Sequence, residues 1–140
     1  MDFQVNWVAV LLAAVVNMII GFAWYSPMLF AKPWMKLKGY TAEGLKKEQS
    51  EMGKWYGVSF VLALINAFVL SHVMMLSENF YHYDSITTGV MSAFWIWFGF
   101  VGPVMLLGQI FGEKKWKLWG IDTGYQLVSL IAMGIVLAIL

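Results

Sequence analysis

Four apolar runs, each about as long as a bilayer core is thick, constrain this chain more than any other feature. A hydrocarbon layer of about 30 Å needs roughly 20 apolar helical residues, because every backbone N–H and C=O must find its partner inside the segment. The runs lie at Val5 to Tyr25, Tyr56 to Leu76, Thr88 to Phe111 and Trp119 to Leu140. With 61% hydrophobic and 12% charged residues, the chain departs from the roughly 25% charged usage of soluble domains. The sequence therefore reads as all-α: a polytopic membrane protein, one four-helix transmembrane domain filling residues 1–140, spans at about 5–25, 56–76, 88–111 and 119–140. The first run opens MDFQVNW, with no basic segment before it and no small-residue cleavage site after it. It is expected to be a retained span rather than a signal peptide.

Direction follows from the lysines. Lys32, Lys36, Lys38, Lys46, Lys47 and Lys54 all fall between spans one and two, and Lys114, Lys115 and Lys117 between spans three and four. Cytoplasmic loops carry the lysine excess, so both loops are expected in the cytoplasm of a multi-pass cell-membrane protein, with both termini outside. Asp2, Glu78 and Asp84 remain on the outer side. Amphipathic aromatics settle at the headgroup level; Trp7 marks the outer end of span one, while Trp24, Tyr25 and Trp34 mark its inner exit. Trp55, Tyr56, Trp116 and Trp119 flank the other inner boundaries. Pro27 then stops the first helix.

From Thr41 the inner loop reads TAEGLKKEQSEMGKWYG. Thr41 suits an N-cap and Glu43 the first turn, and Leu45, Glu48 and Met52 recur at helical spacing, which predicts a short amphipathic helix lying on the inner leaflet. A mobile polar loop is the plainer alternative. In the outer loop, Ser85, Thr87 and Thr88 are candidate caps for span three. SPMLFAKPWMKLKG and GPVMLLGQIFGEKKWKLWG share an order of Pro, Phe, lysines, Trp and closing Gly, as a duplicated hairpin would, although shared interface composition also explains it.

Helices in lipid gain little from burying leucine against leucine, so small and polar residues mark the seams. Span one offers Asn6, Ala9, Ala13, Asn17 and Gly21; span two Ser59, Ala63, Asn66, Ala67 and Ser71; span three Ser92, Gly99, Gly102 and Pro103; span four Gly120, Asp122, Gly124, Gln126 and Ser129. Pro103 predicts a kink. So much polar seam on four short helices leads us to expect a homo-oligomer among membrane lipids, with no nucleic-acid partner.

Chemistry-bearing residues are few. Asp122 is the one carboxylate inside a candidate span, which makes it a functional hypothesis, set against an acid in the first turn of span four paired with Lys117. His72 with Met74, Met75 and His82 offers nitrogen and thioether groups suited to copper(I), yet methionine commonly serves as adaptable packing. Asn17, Asn66 and Gln109 suit interhelical hydrogen bonds. Cysteine is absent, which excludes thiolate chemistry, and no catalytic triad, phosphate-binding loop or HExxH pattern occurs. The expectation is no enzyme, no cofactor and no metal site.

GFAWYSPMLFAKPWMK and IDTGYQLVSLIAMGIVLAIL resemble a family of small four-span proteins known as domain of unknown function 1761. The resemblance rests on Gly21, Phe22, Trp24, Tyr25, Ser26, Pro27, Phe30, Lys32, Trp34 and Met35, and on Gly124, Tyr125, Leu127, Val128 and Gly134. Ala31 and Asp122 depart from the Gly and Asn of that pattern. The resemblance implies a helical bundle and no particular reaction. Two functional readings follow. In one, Trp24, Tyr25, Ser26 and Trp34 shape an inner-leaflet pocket near Tyr125 and Gln126 for a lipid or small amphiphile. In the other, Asn17, Asn66, Gln109 and Asp122 form a polar seam used by a small transporter or channel.

Overall fold

The computed structural model describes residues 4–140, Ala42 by its backbone alone; Asp2 lies outside the described residues. Asn6 opens α1 (Trp7–Trp24) by accepting the Ala9 N–H at 3.1 Å. The helix ends in the Ser26-Pro27 turn, where the Trp24 carbonyl accepts the Phe30 N–H at 3.0 Å. A short helix, α2 (Ala31–Lys38), follows. It carries Pro33 in its first turn, where the missing N–H leaves no bond unmade. Gly39 closes α2 at φ 73, a left-handed conformation that favours glycine.

The short helix of the inner loop is thus α2, whereas the segment from Thr41 behaves differently. Thr41 caps it as expected, accepting the Gly44 N–H at 3.1 Å, but the helix runs unbroken from Ala42 to Tyr81 as α3. Forty residues make about 60 Å, so α3 outruns a bilayer core. Nothing between Glu43 and Tyr56 breaks it: the only glycine punctuation, Gly44 and Gly53, is tolerated inside a helix at modest cost. The apolar side of this extension, Leu45 and Met52, faces a cavity shared with α1 and α2 instead of lying on a leaflet.

His82, at φ 57, reverses the chain after α3. The cap of the next helix, α4 (Ser85–Ile96), is Asp84 rather than the hydroxyl residues expected: its carboxylate accepts the Thr87 N–H at 3.0 Å and the Thr87 hydroxyl at 2.6 Å. Those bonds hold the Asp84 carboxyl below its ordinary range, the Thr87 hydroxyl being the largest cause. The irregularity expected at Pro103 is a π-helical turn, Trp97–Val101, which passes directly into α5 (Gly102–Ile110). Gly102 donates to Trp97 across five residues, so the stretch Ser85–Ile110 stays one span. The first SPMLFAKPWMKLKG segment makes a turn and α2, while its counterpart makes α5 and the start of α6 (Trp116–Ile139). The two segments share residues, not structure.

Trp7–Trp24, Glu43–Tyr81, Ser85–Ile110 and Trp116–Ile139 are each long and apolar enough to cross a membrane. They form an all-α polytopic bundle in which α6 packs on α1 and α4, and α3 packs on the same two helices and also touches α6. The core is built largely of small side chains: Ala13, Ala67 and Ala93 are fully buried beside Val10, Leu70, Leu130 and Met133. Its tightest point is the α4–α6 crossing. A Cβ added to Gly89 would sit 2.4 Å from the Gly134 carbonyl oxygen, and one added to Gly134 would sit 2.5 Å from that of Gly89. Backbone meets backbone there, and neither side can yield. Gly134→Ala should therefore destabilise the bundle by about 1–3 kcal/mol through overpacking. Gly53→Ala, whose added methyl meets no described atom within 4 Å, should be neutral or stabilising by up to about 1 kcal/mol. Thermal unfolding of the two variants in detergent separates these outcomes.

Candidate functional site

The end of the bundle that carries the lysine-bearing connections also holds the linked rings of Tyr25, Trp34, Tyr40 and Tyr125. Two glycines and two aromatic rings make the α1–α6 contact reciprocal. Gly124 on α6 leaves room for Trp24, whose ring carbon would lie 3.1 Å from an added Cβ; Gly21 on α1 leaves the same 3.1 Å for the Tyr125 hydroxyl. Each helix offers a gap to the ring of the other.

Hydrogen bonds fix that register. Trp24 Nε1 donates to the Ile121 carbonyl at 2.9 Å and Tyr25 Oη to Asp122 Oδ1 at 2.7 Å. Deeper, the Tyr125 hydroxyl and the Ser129 hydroxyl both donate to Asn17 Oδ1, the former at 3.0 Å. Asn17 is 8% exposed, so its amide oxygen serves as an internal anchor. Two further indoles clasp the same helix to the π-turn region: Trp97 Nε1 donates to the Thr123 carbonyl at 2.8 Å, and Trp119 Nε1 to the Gly102 carbonyl at 3.0 Å. A helical carbonyl has a second lone pair for such a donor.

Beside this contact, α1, α2, α3 and α6 frame an open-sided cavity of about 510 Å³. Met18, Gly21, Phe22 and Tyr25 line it from α1, and Leu45, Gln49, Met52, Tyr56 and Ser59 from α3. Trp34 of α2 packs edge-on against Tyr25 at 5.4 Å, and Tyr25 against Tyr125 at 5.5 Å. Lys38 Nζ lies 5.4 Å from the Trp34 ring centre. The Trp34 Nε1 atom is buried and has no hydrogen-bond partner among the described residues. Lys115 reaches over from the α5–α6 connection to the Leu37 carbonyl at the end of α2, and it pairs with Glu113. The hydrogen bond from Lys115 to Glu113 holds the Glu113 carboxyl below its ordinary range.

Of the pocket residues expected from sequence, Tyr25, Trp34 and Tyr125 line this cavity. Trp24 turns to α6 instead, Ser26 donates back to the Ala23 carbonyl at 2.7 Å, and Gln126 is not among the lining residues. The residues expected to share a polar seam are dispersed. Asn17 and Asp122 lie on the α1–α6 contact. Gln109 folds its side chain onto its own connection, accepting the Lys115 N–H at 3.0 Å, and Asn66 is exposed on the outside of α3. Asp122 does not sit in a first turn beside Lys117, because α6 starts earlier than expected, at Trp116. His72, the other chemistry candidate, places Nδ1 2.9 Å from the Phe68 carbonyl and its ring against Phe68.

Sequence reasoning missed the α3 wall of the cavity. Its signal was present: Leu45, Gln49, Met52, Tyr56 and Ser59 recur at steps of three and four, one continuous helix face. Reading the inner loop as a separate helix hid that continuity.

A bundle with four helices long and apolar enough to cross a membrane, tied to one another by hydrogen bonds, has the architecture of a small polytopic membrane protein. The chain belongs to the family described as protein of unknown function (DUF1761), which matches residues 8–138. No curated protein and no solved structure matches it.

The Tyr25–Asp122 bond is the most accessible test of the register. In a double-mutant cycle with Tyr25→Phe and Asp122→Ala, the coupling energy in thermal or denaturant unfolding should be about 1–2 kcal/mol. Asp122→Asn, which keeps an accepting oxygen, should lose less than Asp122→Ala.

Proposed function

We propose that this chain is a non-enzymatic integral membrane protein that holds a membrane lipid or small amphiphile in the cavity between α1, α2, α3 and α6. The observation that carries the reading is the cavity lined by the Tyr25, Trp34 and Tyr125 rings, next to which the Trp34 indole N–H is buried with no acceptor among the described residues. Buried donors are almost always satisfied, and a small shift of the Trp34 ring brings this one to a ligand oxygen in the cavity. The walls are apolar and aromatic, with a few polar groups from Tyr25, Gln49, Ser59 and Tyr125, the pattern of a small-molecule site.

The charge around the site favours an anionic head. Lys38 stands over Trp34, and Lys32 and Lys36 share its short helix. With these loops on the cytoplasmic side, as the lysine distribution favours, the ligand comes from the inner leaflet, where anionic lipids reside. The protein works as a homo-oligomer: Asn66 presents an amide outward from the middle of α3, and in hydrocarbon such an amide is satisfied most readily by a neighbouring copy.

Lipid extraction and mass spectrometry of the protein purified in mild detergent test this. About one anionic lipid per chain should copurify above the micelle background. Trp34→Phe keeps a ring but deletes the donor, and should lower occupancy about five- to tenfold; Met52→Trp should narrow the cavity and lower retention as well. Wild-type protein with no lipid above background, or both variants fully loaded, would overturn the reading.

A further inference from the structure

At the opposite end of the bundle, α3 and α4 frame a second cavity, of about 530 Å³, that the first reading does not use. Its mouth is made by Tyr81 and Tyr83, which the left-handed turn at His82 places on one side of the chain with rings parallel and 5.5 Å apart. Trp95 and Phe100 add two more aromatic surfaces, and both are exposed. Ser92, 5% exposed, borders the same space, and its hydroxyl is buried with no hydrogen-bond partner among the described residues. A buried polar atom left unsatisfied is costly, and a turn of the Ser92 side chain toward the cavity offers its oxygen to a ligand's charge.

The sign of that charge can be read from the surroundings. No lysine or arginine occurs between Lys54 and Lys114, whereas Glu78 and Asp84 bracket the two tyrosines in sequence. Aromatic faces carry negative quadrupole density that attracts cations, and a serine oxygen can turn its lone pairs toward positive charge. An anion would meet no lysine or arginine there. We propose that this second cavity is a binding site for lipophilic cations, compounds with a bulky apolar body and a single delocalised or shielded positive charge. It is independent of the lysine-rimmed cavity in place and in the sign of charge it selects.

Tetraphenylphosphonium and tetraphenylborate, nearly identical in size and shape but opposite in charge, provide the test. Equilibrium dialysis of each against the purified full chain in an uncharged detergent, with empty micelles subtracted, should give saturable binding of the phosphonium at about one per chain. Tetraphenylborate should bind at least about tenfold more weakly. Trp95→Ala should weaken the phosphonium about tenfold and Ser92→Ala several-fold, both within the range of single cation–π and dipole contacts. Trp95→Phe should retain most of the affinity, and Trp34→Phe, in the other cavity, all of it. Absence of saturable phosphonium binding, equal affinity for the borate, or unchanged binding in both Trp95→Ala and Ser92→Ala proteins that unfold at the wild-type temperature would overturn the assignment.

Discussion

In a hydrocarbon solvent the helices of this protein cannot be held together by burying leucine, because lipid tails are just as apolar. What remains is close backbone approach and hydrogen bonding between helices, and α6 uses both along its whole length. At one end it meets α4 through Gly134 against Gly89. At the other it meets α1 through Gly124 and Gly21, each receiving a ring from its partner. Nearer its start, indole donors from Trp24 and Trp97 bind its Ile121 and Thr123 carbonyls, and its own Trp119 binds the carbonyl of Gly102. These groups are specific in position, so they set register as well as attraction.

The cavity at the lysine-bearing end is a consequence of that register. Trp24 and Tyr25 are committed to α6, and Pro27 then ends the helix, so the chain turns and lays α2 across the bundle end. A 40-residue α3 supplies the remaining wall, because its extension has an apolar face and no break. The order Trp-Tyr-Ser-Pro therefore has a division of labour: an indole for a helical carbonyl, a phenol for Asp122, a hydroxyl that closes the helix end on Ala23, and a proline that stops it.

Much of this was legible in the sequence, and the parts that were not have identifiable physical reasons. Span number followed from apolar run length, whereas Pro103 pointed to a kink and the helix carries a π-helical turn just before it. Gly21, Trp24, Tyr25, Gly124 and Tyr125 stood out through family resemblance, but their pairing across nearly a hundred residues is a tertiary fact that spacing cannot give. Asp122 was misplaced by a helix start three residues earlier than expected, at Trp116 instead of Trp119. Asn66 and Gln109 looked like seam residues because polarity alone does not say which face of a helix is inward; one points out and the other bonds its own connection. The cap of α4 fell to Asp84 because a carboxylate accepts two hydrogen bonds at once where a hydroxyl competes less well.

Everything described depends on hydrocarbon surrounding four crossings, with the α1–α3 and α5–α6 connections on one side and the α3–α4 turn on the other. Because the sequence has no cysteine, single cysteines can report this without background. In intact cells and in inverted vesicles, Lys46→Cys and Lys114→Cys should react with a membrane-impermeant maleimide from the cytoplasmic side only, and Asp84→Cys from the outer side only. Labelling of all three from a single side would contradict the four-crossing arrangement.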